Sequence, residues 1–276
     1  MTTEQRTTGG AGRGAVDYIG ARIMTSWAGL RDFGAYVVSI ARSLKSLRFI
    51  RKDAINTIIF SQTRFTGIDA LPFVTVVAVL VGGVVIIQSM TNLPKIGIAG
   101  YFGNLLVIII VRELGPLVTA LIVVSRSGTA MATEIATQKW SREILSLEIA
   151  GVDPRLYIVV PRLVAFTISI FCLTVFFDIA AFLGGYLISL TTIYVPMDVF
   201  FRDLATTFSL NDLAATLIKS VIFGTLIPLI SCYYGMMPRS KFEIPIFASR
   251  AVSRSLFAII ILNVIISVSF YFNWVE

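Results

Sequence analysis

Five long apolar stretches constrain the fold of this chain more than any other feature of its sequence. They cover about residues 70–90, 101–136, 158–190, 213–234 and 256–275. Because a bilayer core is roughly 30 Å thick, a helical crossing needs about 20 mostly apolar residues. Of the 276 residues, 56% are hydrophobic and 14% are charged, a balance far from that of a soluble domain. The sequence therefore predicts an all-α, polytopic integral membrane protein with about five transmembrane helices.

The residues before the first apolar stretch divide into two parts. Residues 1–16 are rich in Thr and Gly and lack the apolar centre of a secretory signal, so we expect a disordered tail. In residues 17–68, apolar side chains recur at helical spacing with basic side chains between them. This pattern predicts an amphipathic, interfacial helical region that lies on an anionic membrane surface or packs on the protein's own flank. We expect residues 69–276 to form one transmembrane domain.

The basic residues predict the orientation of the spans. The formal net charge is +7, but these residues flank the apolar stretches and form no basic domain, so nucleic acid is not an expected partner. Lys139, Arg142 and Arg155 lie between the second and third stretches. Four more lie between the fourth and fifth: Arg239, Lys241, Arg250 and Arg254. By the positive-inside rule both loops are cytoplasmic, with the N-terminus inside and the C-terminus outside.

The residue types that the sequence lacks argue against most enzyme classes. There is no histidine, which removes the Ser-His-Asp triad and every imidazole metal site. No G-x-x-x-x-G-K-[ST] sequence occurs, so any ATP hydrolysis must come from a separate subunit. We expect neither a metal nor a cofactor in this chain. Two functions stay open on these residues: a membrane-embedded enzyme that modifies lipid through Asp178, Glu113 or Glu134, and an ATP-independent lipid channel or scaffold.

Two adjacent charges interrupt the second apolar stretch. Arg112 and Glu113 stand in the run LLVIIIVRELGPLVTALIVV, and Pro116 follows them, so this helix should be tilted, kinked or broken. An ionisable residue at such depth costs several kcal/mol unless it has a partner or faces water. Neighbours on a helix point about 100° apart, so the two cannot pair squarely with each other. We expect them to line an internal cavity or to form interhelical ion pairs, with Asp178 and Lys219 as candidate partners.

Small residues predict close helix contacts. Gly128, Ala132 and Ala136 recur at every fourth position of the second stretch, which lets another helix approach closely. Small side chains allow such approach inside lipid, where no hydrophobic effect drives helices together. The paired glycines of the first and third stretches fit the same explanation: Gly82, Gly83, Gly184 and Gly185. These residues indicate packing and carry no information about substrate.

The segment between the second and third stretches predicts a short amphipathic helix. Residues 137–154 read TQKWSREILSLEIAGVDP, with charged residues interspersed among apolar ones on one side. Gly151 and Pro154 end the pattern. Such a helix either docks on a soluble partner or lies passively on the lipid surface, and the residue pattern alone leaves both open.

A long block of the sequence resembles a known family. Residues 113–165 read ELGPLVTALIVVSRSGTAMATEIATQKWSREILSLEIAGVDPRLYIVVPRLVA and closely resemble the MlaE/YrbE family of ABC-transporter permeases. Weaker similarity extends from about residue 45 to the C-terminus. The resemblance implies a permease subunit of the bacterial inner membrane, with a periplasmic C-terminus. Its implied activity is the movement of phospholipids, or other hydrophobic molecules such as sterols, between membranes.

The same resemblance implies partners and site residues. It implies a homodimer that binds two copies of a cytoplasmic ABC ATPase, where ATP and Mg are held, and an MCE-domain protein; it also allows a STAS-domain protein. The implied lipid pocket lies at the dimer interface and includes Arg112, Glu113, Leu114 and Pro116. The implied coupling helix on the ATPase spans residues 137–152, with these contact residues: Lys139, Trp140, Arg142, Glu143, Leu147 and Glu148.

Overall fold

The computed structural model describes residues 29, 31–42, 52–92, 105–190 and 197–272. Every regular element within these residues is helical. The chain divides into two compact units, Met1–Arg48 and Phe49–Glu276. The expected tail at residues 1–16 lies outside the described residues, as do residues 17–28 of the expected interfacial region.

The described residues contain ten α-helices. In the first unit, α1 covers residues 31–42. The second unit contains α2 (Lys52–Thr66), α3 (Leu71–Asn92), α4 (Gly115–Val123), α5 (Thr129–Trp140), α6 (Glu143–Ile149), α7 (Val160–Ser189), α8 (Met197–Thr207), α9 (Leu210–Gly235) and α10 (Ile244–Phe272). Three segments are wound as π-helix: Val107–Leu114, Val124–Gly128 and Arg155–Val159. Two short 3₁₀ turns complete the set, Ile68–Ala70 and Lys241–Glu243.

Five helical stretches of the second unit are long and apolar enough to cross a membrane. In chain order, spans 1 to 5 are Asn56–Asn92, Val107–Trp140, Arg155–Ile188, Asn211–Gly235 and Lys241–Phe270. Many large apolar side chains on them stay exposed, because lipid rather than protein is their solvent. The prediction of an all-α, polytopic membrane protein with about five spans is confirmed.

Spans 1 and 3 approach closely at their glycines. A Cβ atom built on Gly82 would lie 2.1 Å from the main-chain oxygen of Ala181. A Cβ on Gly184 would lie 2.4 Å from a methyl group of Val79, and one on Gly185 would lie 2.7 Å from the backbone of Gly82. The two backbones therefore touch, which a side chain at these positions would prevent.

The small residues of span 2 lie against span 4. A Cβ on Gly128 would meet the Ser231 hydroxyl at 3.3 Å, and one on Gly235 would meet the main-chain oxygen of Ala132 at 2.9 Å. Ala132 and Ala136 are each only 1% exposed. The repeat that the sequence showed at every fourth residue thus faces a neighbouring helix.

Span 2 is irregular without being broken. The sequence predicted a tilt, kink or break near Arg112, Glu113 and Pro116, and the structure contains a continuous helical path with two π segments. Pro116 is the second residue of α4, directly after the first π segment. A proline in a first helical turn loses little, because its missing N–H would have no partner there. The wider π turn therefore accommodates the proline and the charged pair together.

The fifth span begins earlier than the sequence predicted. The apolar stretch pointed to a helix from about residue 256, but α10 starts at Ile244, directly after a 3₁₀ turn. Arg250 and Arg254, which were assigned to the preceding loop, therefore lie within the helix. Arg250 stacks on the ring of Phe247 at 5.1 Å, so the charge is carried on a helical face beside an apolar residue. The length of the apolar stretch does not reveal this first part of the helix, because its charged residues lower the mean hydropathy.

Candidate functional site

The Glu113 carboxylate is the centre of a hydrogen-bond network that joins three spans. The Lys219 ammonium of span 4 donates to Oε1 at 3.0 Å. From span 5, the Asn263 amide donates to Oε2 at 3.0 Å, and the Ser267 hydroxyl lies 2.7 Å from Oε1 and 3.0 Å from Oε2. Spans 2, 4 and 5 thus meet at one acidic side chain, which lies in the first π segment.

Lys219 is buried with all of its donors satisfied. Its side chain is 2% exposed. Besides Glu113, its ammonium donates to the main-chain oxygen of Arg112 at 2.6 Å and to the Ser267 hydroxyl at 2.8 Å. An ammonium has three N–H donors, and a buried charge is tolerated when it is both paired and hydrogen-bonded. Of the two partners that the sequence suggested, the structure places Lys219 on Glu113.

Arg112 turns away from Glu113 and contacts Asp212 at the start of α9. The Arg112 Nε atom bonds to Asp212 Oδ1, and the Asp212 side chain is 1% exposed. The other oxygen of Asp212 accepts the backbone N–H of Ser209 at 2.9 Å, within a capping box that also uses the Ser209 hydroxyl. The carboxylate that caps the helix therefore also neutralises the arginine.

Asp212, Asn263 and Ser267 were not singled out in the sequence. Asp212 lies just outside the apolar stretch of residues 213–234, although the Ser209-x-x-Asp212 spacing carried the signal of a capping box. Asn263 and Ser267 are uncharged polar residues four positions apart in span 5, so they share one helical face. Polar residues on one face of an apolar helix were the signal that could have found them.

The two ion pairs surround a small cavity. Its volume is about 80 Å³. Leu114 and Pro116, which the resemblance placed in the lipid pocket, do not line it; its lining residues are Arg112, Glu113, Ser209, Asn211, Asp212, Ala215, Lys219, Ser267 and Phe270. Two cations and two carboxylates balance, so the site has no net charge. Arg112 and Glu113 each keep 29% of their side-chain surface exposed, so a ligand can reach both.

Asp178 lies apart from the Arg112 and Glu113 pair. Within the described residues it forms no ion pair, and its Oδ1 atom has no hydrogen-bond partner. Gly115 lies so close that a Cβ there would be 2.1 Å from this oxygen. The carboxyl group, which the sequence offered as a partner for the charged pair, is therefore packed against the backbone of span 2.

The short helix after span 2 is displaced from its expected start. The resemblance put a coupling helix over residues 137–152, but α6 covers only Glu143–Ile149. Lys139 and Trp140 belong to the last turn of α5, because the helix of span 2 continues through them. Arg142, with φ of 63°, makes the turn between the two helices.

The surface of α6 is exposed and partly apolar. It has no buried residue, and Glu143, Leu147 and Glu148 lie on it. Ile149 is 80% exposed, and the neighbouring Trp140 is 54% exposed. Together Trp140 and α6 form an apolar surface at the end of span 2.

A polar groove lies beside α6. It has a volume of about 640 Å³ and is lined by residues of α2, α5, α6 and span 3. Arg162, whose side chain is 6% exposed, donates there to Glu134 at 2.5 Å and to the main-chain oxygen of Ile158 at 3.0 Å. This pair fixes the ends of spans 2 and 3 next to the short helix. Arg162, which lies near the start of the third apolar stretch, was not singled out in the sequence.

No metal centre is formed by the residues that the structure describes, which contain no group of three Cys, Asp or Glu placed to hold an ion. Five helical spans define a multi-pass membrane protein, with a charge network between three of the spans and an exposed helix at one end. The family model described as Permease MlaE matches residues 59–269, and the chain belongs to this family.

Relatives agree with this assignment. A probable ABC transporter permease protein of Rickettsia typhi is 32% identical over 179 residues, which are 65% of this chain and 69% of the relative. A probable ABC transporter permease protein of Synechocystis is 30% identical over 77% of this chain and 79% of its own length. Protein TRIGALACTOSYLDIACYLGLYCEROL 1, chloroplastic, of Arabidopsis thaliana is 27% identical over 77% of this chain and 61% of its own length. The chain is therefore a non-enzymatic permease subunit of an ABC transporter, and a partner ATPase is implied.

Proposed function

We propose that this permease moves a phospholipid or a similar hydrophobic lipid between membranes, and that two copies of the chain enclose the lipid beside Glu113. The Arabidopsis relative supports the substrate class, because its name contains the lipid trigalactosyldiacylglycerol. The two ion pairs suit a zwitterionic or polar headgroup, since the site is neutral overall and Arg112 stays partly exposed.

The single observation that supports the proposed dimer is the small volume of the cavity beside Glu113. Its volume of about 80 Å³ is far below the roughly 300–1,000 Å³ of ordinary ligand pockets. We therefore propose that one chain supplies part of a wall and that a second chain completes it. Span 5 offers the surface, because only 22% of its most apolar stretch is buried. The exposed apolar side chains of this stretch include Phe257, Ile260, Ile261, Val264, Ile265 and Val268.

The proposed energy source acts from the other end of span 2. A cytoplasmic ATPase, two copies per dimer, binds ATP and Mg and docks on α6 and Trp140. Its closure pushes α6, and the movement reaches Glu113 because span 2 is continuous from Trp140 to the first π segment. An MCE-domain protein receives or delivers the lipid, with a STAS-domain protein as a further partner. The complex lies in the bacterial inner membrane, with the N-terminus cytoplasmic and the C-terminus periplasmic.

A crosslink across the proposed dimer interface tests this function. The protein, co-purified with its ATPase, carries Val264→Cys in a Cys172→Ser background, because Cys172 is exposed whereas Cys232 is buried. We expect oxidation to give a covalent dimer and to stop ATP-driven transfer of fluorescent phospholipid between liposomes, and reduction to restore it.

The matched control is Leu80→Cys, an equally exposed position on span 1. It should give no such dimer and no redox-dependent loss of transfer. A fully active monomer, or transfer that proceeds without ATP, would contradict the proposal and favour a channel.

A further inference from the structure

A second cavity lies within a single chain, away from the proposed dimer surface. Its volume is about 570 Å³, within the usual range of ligand pockets. Spans 2, 3 and 4 and helix α8 form its walls, which are mostly aliphatic and aromatic: Val107, Val111, Val175, Ile179, Phe182, Leu183, Leu204, Ala205, Phe208 and Leu213. The two polar residues among its lining residues are Asp178 and Thr216. A cavity with such walls, on a chain that spans a membrane, suits a hydrocarbon body.

Asp178 is the polar residue of this cavity that has no ion pair or hydrogen bond to the described residues. The residue is 9% exposed, and its Oδ1 atom is buried without a hydrogen bond. The hydroxyl of Thr216, in contrast, already donates to the main-chain oxygen of Val111 at 3.1 Å. A buried carboxyl group without a donor costs free energy that a hydrogen bond would recover. Oδ1 is packed against Gly115 of span 2, so a donor that enters the cavity would approach the part of the carboxyl group that lines it.

The charged groups near the cavity indicate which kind of hydrogen-bond donor a ligand can bring to Asp178. No Lys or Arg is among its described lining residues. Lys219 is held by Glu113, and Arg112 is paired with Asp212. A phosphate would therefore face a carboxyl group with no cation to balance it. A hydroxyl group has no charge, and it can donate to the carboxyl oxygen whether Asp178 is ionised or protonated.

We propose that this cavity binds a neutral lipid with a free hydroxyl group, of the diacylglycerol type, whose hydroxyl donates to Asp178 and whose chains lie against the apolar walls. The site differs from the pocket beside Glu113 in three respects: one chain alone gives it the volume of a ligand pocket, we expect it to fill without ATP, and it disfavours anionic headgroups. It goes beyond the transport proposal, since a permease without this second site would still carry lipid at the dimer interface.

The test uses the purified full-length protein in phosphatidylcholine nanodiscs without ATP. The probe is dioleoylglycerol with a photoreactive diazirine in one chain, and labelled peptides are mapped by mass spectrometry. We expect label on the peptides that contain Phe182 and Phe208. Unlabelled dioleoylglycerol should compete about tenfold better than its 3-O-methyl ether, the difference expected for one hydrogen bond to a carboxylate. Dioleoyl phosphatidic acid should compete no better than the ether.

Three variants sharpen the test. Asp178→Leu should remove the tenfold preference for the free hydroxyl. Ala205→Trp fills the cavity from an exposed position of α8 and should abolish labelling, whereas Thr206→Trp, at the adjacent position outside the cavity, should leave it unchanged.

Equal competition by the methyl ether would overturn the proposal, as would label that avoids these peptides or survives Ala205→Trp. If Asp178→Leu does not fold, the ether comparison in the natural protein and the two tryptophan variants still decide. None of these measurements depends on lipid transfer, so failure here leaves the transport proposal untouched.

Discussion

Lys219 shows how a single buried charge can be kept in a membrane-spanning helix. Its ammonium has three acceptors within 3.0 Å, one of them the Glu113 carboxylate. A buried ion pair of this kind adds little net stability compared with apolar residues of similar volume. Removal of one partner, however, leaves the other charge buried and unpaired, which costs about 3–5 kcal/mol. The pair therefore imposes a specific arrangement of spans 2, 4 and 5.

The Lys219 pair predicts a non-additive pair of substitutions. Lys219→Met should lower the unfolding free energy by about 3–5 kcal/mol, because it removes the cation that pairs with Glu113. The double variant Lys219→Met with Glu113→Gln should recover part of this loss, since the amide needs no counter-charge. Thermal unfolding in detergent, followed by loss of the monodisperse species on size exclusion, measures both. Losses that simply add would show that the two residues do not act as a pair.

Two kinds of helix contact coexist in this fold. Spans 1 and 3 touch through glycine backbones, a contact that leaves little freedom to slide. Span 2 instead contains two π segments, and each carries an arginine bonded to another element. Arg112 contacts Asp212, and Arg126 donates to the main-chain oxygen of Phe65 at 3.1 Å. Because π turns are common at functional sites and places of bending, span 2 is the element that we expect to change shape.

The contact at Gly82 predicts that the effect of a glycine-to-alanine substitution on stability depends strongly on its position. Gly82→Ala should lower the unfolding free energy by about 1–3 kcal/mol, since its Cβ would lie 2.1 Å from a backbone oxygen that cannot rotate away. Gly34→Ala is the matched control, because Gly34 is also helical but has no atom within 4 Å of an added Cβ. There the change should be neutral or slightly stabilising. Equal melting temperatures for the two variants would contradict a tight contact between spans 1 and 3.

At the scale of the whole molecule, the spans could be predicted and the site only in part. The lengths of the apolar stretches and the positions of the charged residues were enough to predict five spans. Lys219, a lysine inside an apolar stretch, could also be predicted as a partner for the charged pair. Asp212 was missed because it lies at a span end, where an acid is ordinary. Asn263 was missed because its bond to Glu113 joins residues 150 positions apart, a distance that sequence spacing does not encode.

The exposed surface of α6 predicts the contact with the ATPase. Trp140→Ala with Ile149→Glu should weaken co-purification of the partner ATPase at least about tenfold, because a large exposed aromatic residue and its apolar neighbour are typical anchors of an interface. Phe242→Glu is the control: Phe242 is 77% exposed but lies outside α6, in the 3₁₀ turn that precedes α10.

Quantitative pull-down from membranes that contain the co-expressed ATPase measures this contact. Unchanged recovery with the α6 double variant, or an equal loss with Phe242→Glu, would exclude α6 as the specific contact.

The threefold bonding of Lys219 also limits how the protein can move. Its ammonium donates to the main-chain oxygen of Arg112 in span 2, to the adjacent Glu113 carboxylate and to the hydroxyl of Ser267 in span 5. If span 4 moved away alone, the Glu113 carboxylate would stay inside the membrane without its cation. If span 5 moved away alone, the Lys219 ammonium would lose the Ser267 hydroxyl as an acceptor. The movement with the lowest free-energy cost is one in which these helices shift together, or one in which an arriving polar group replaces each lost hydrogen bond as it breaks. Cargo entry and helix movement would then be a single event.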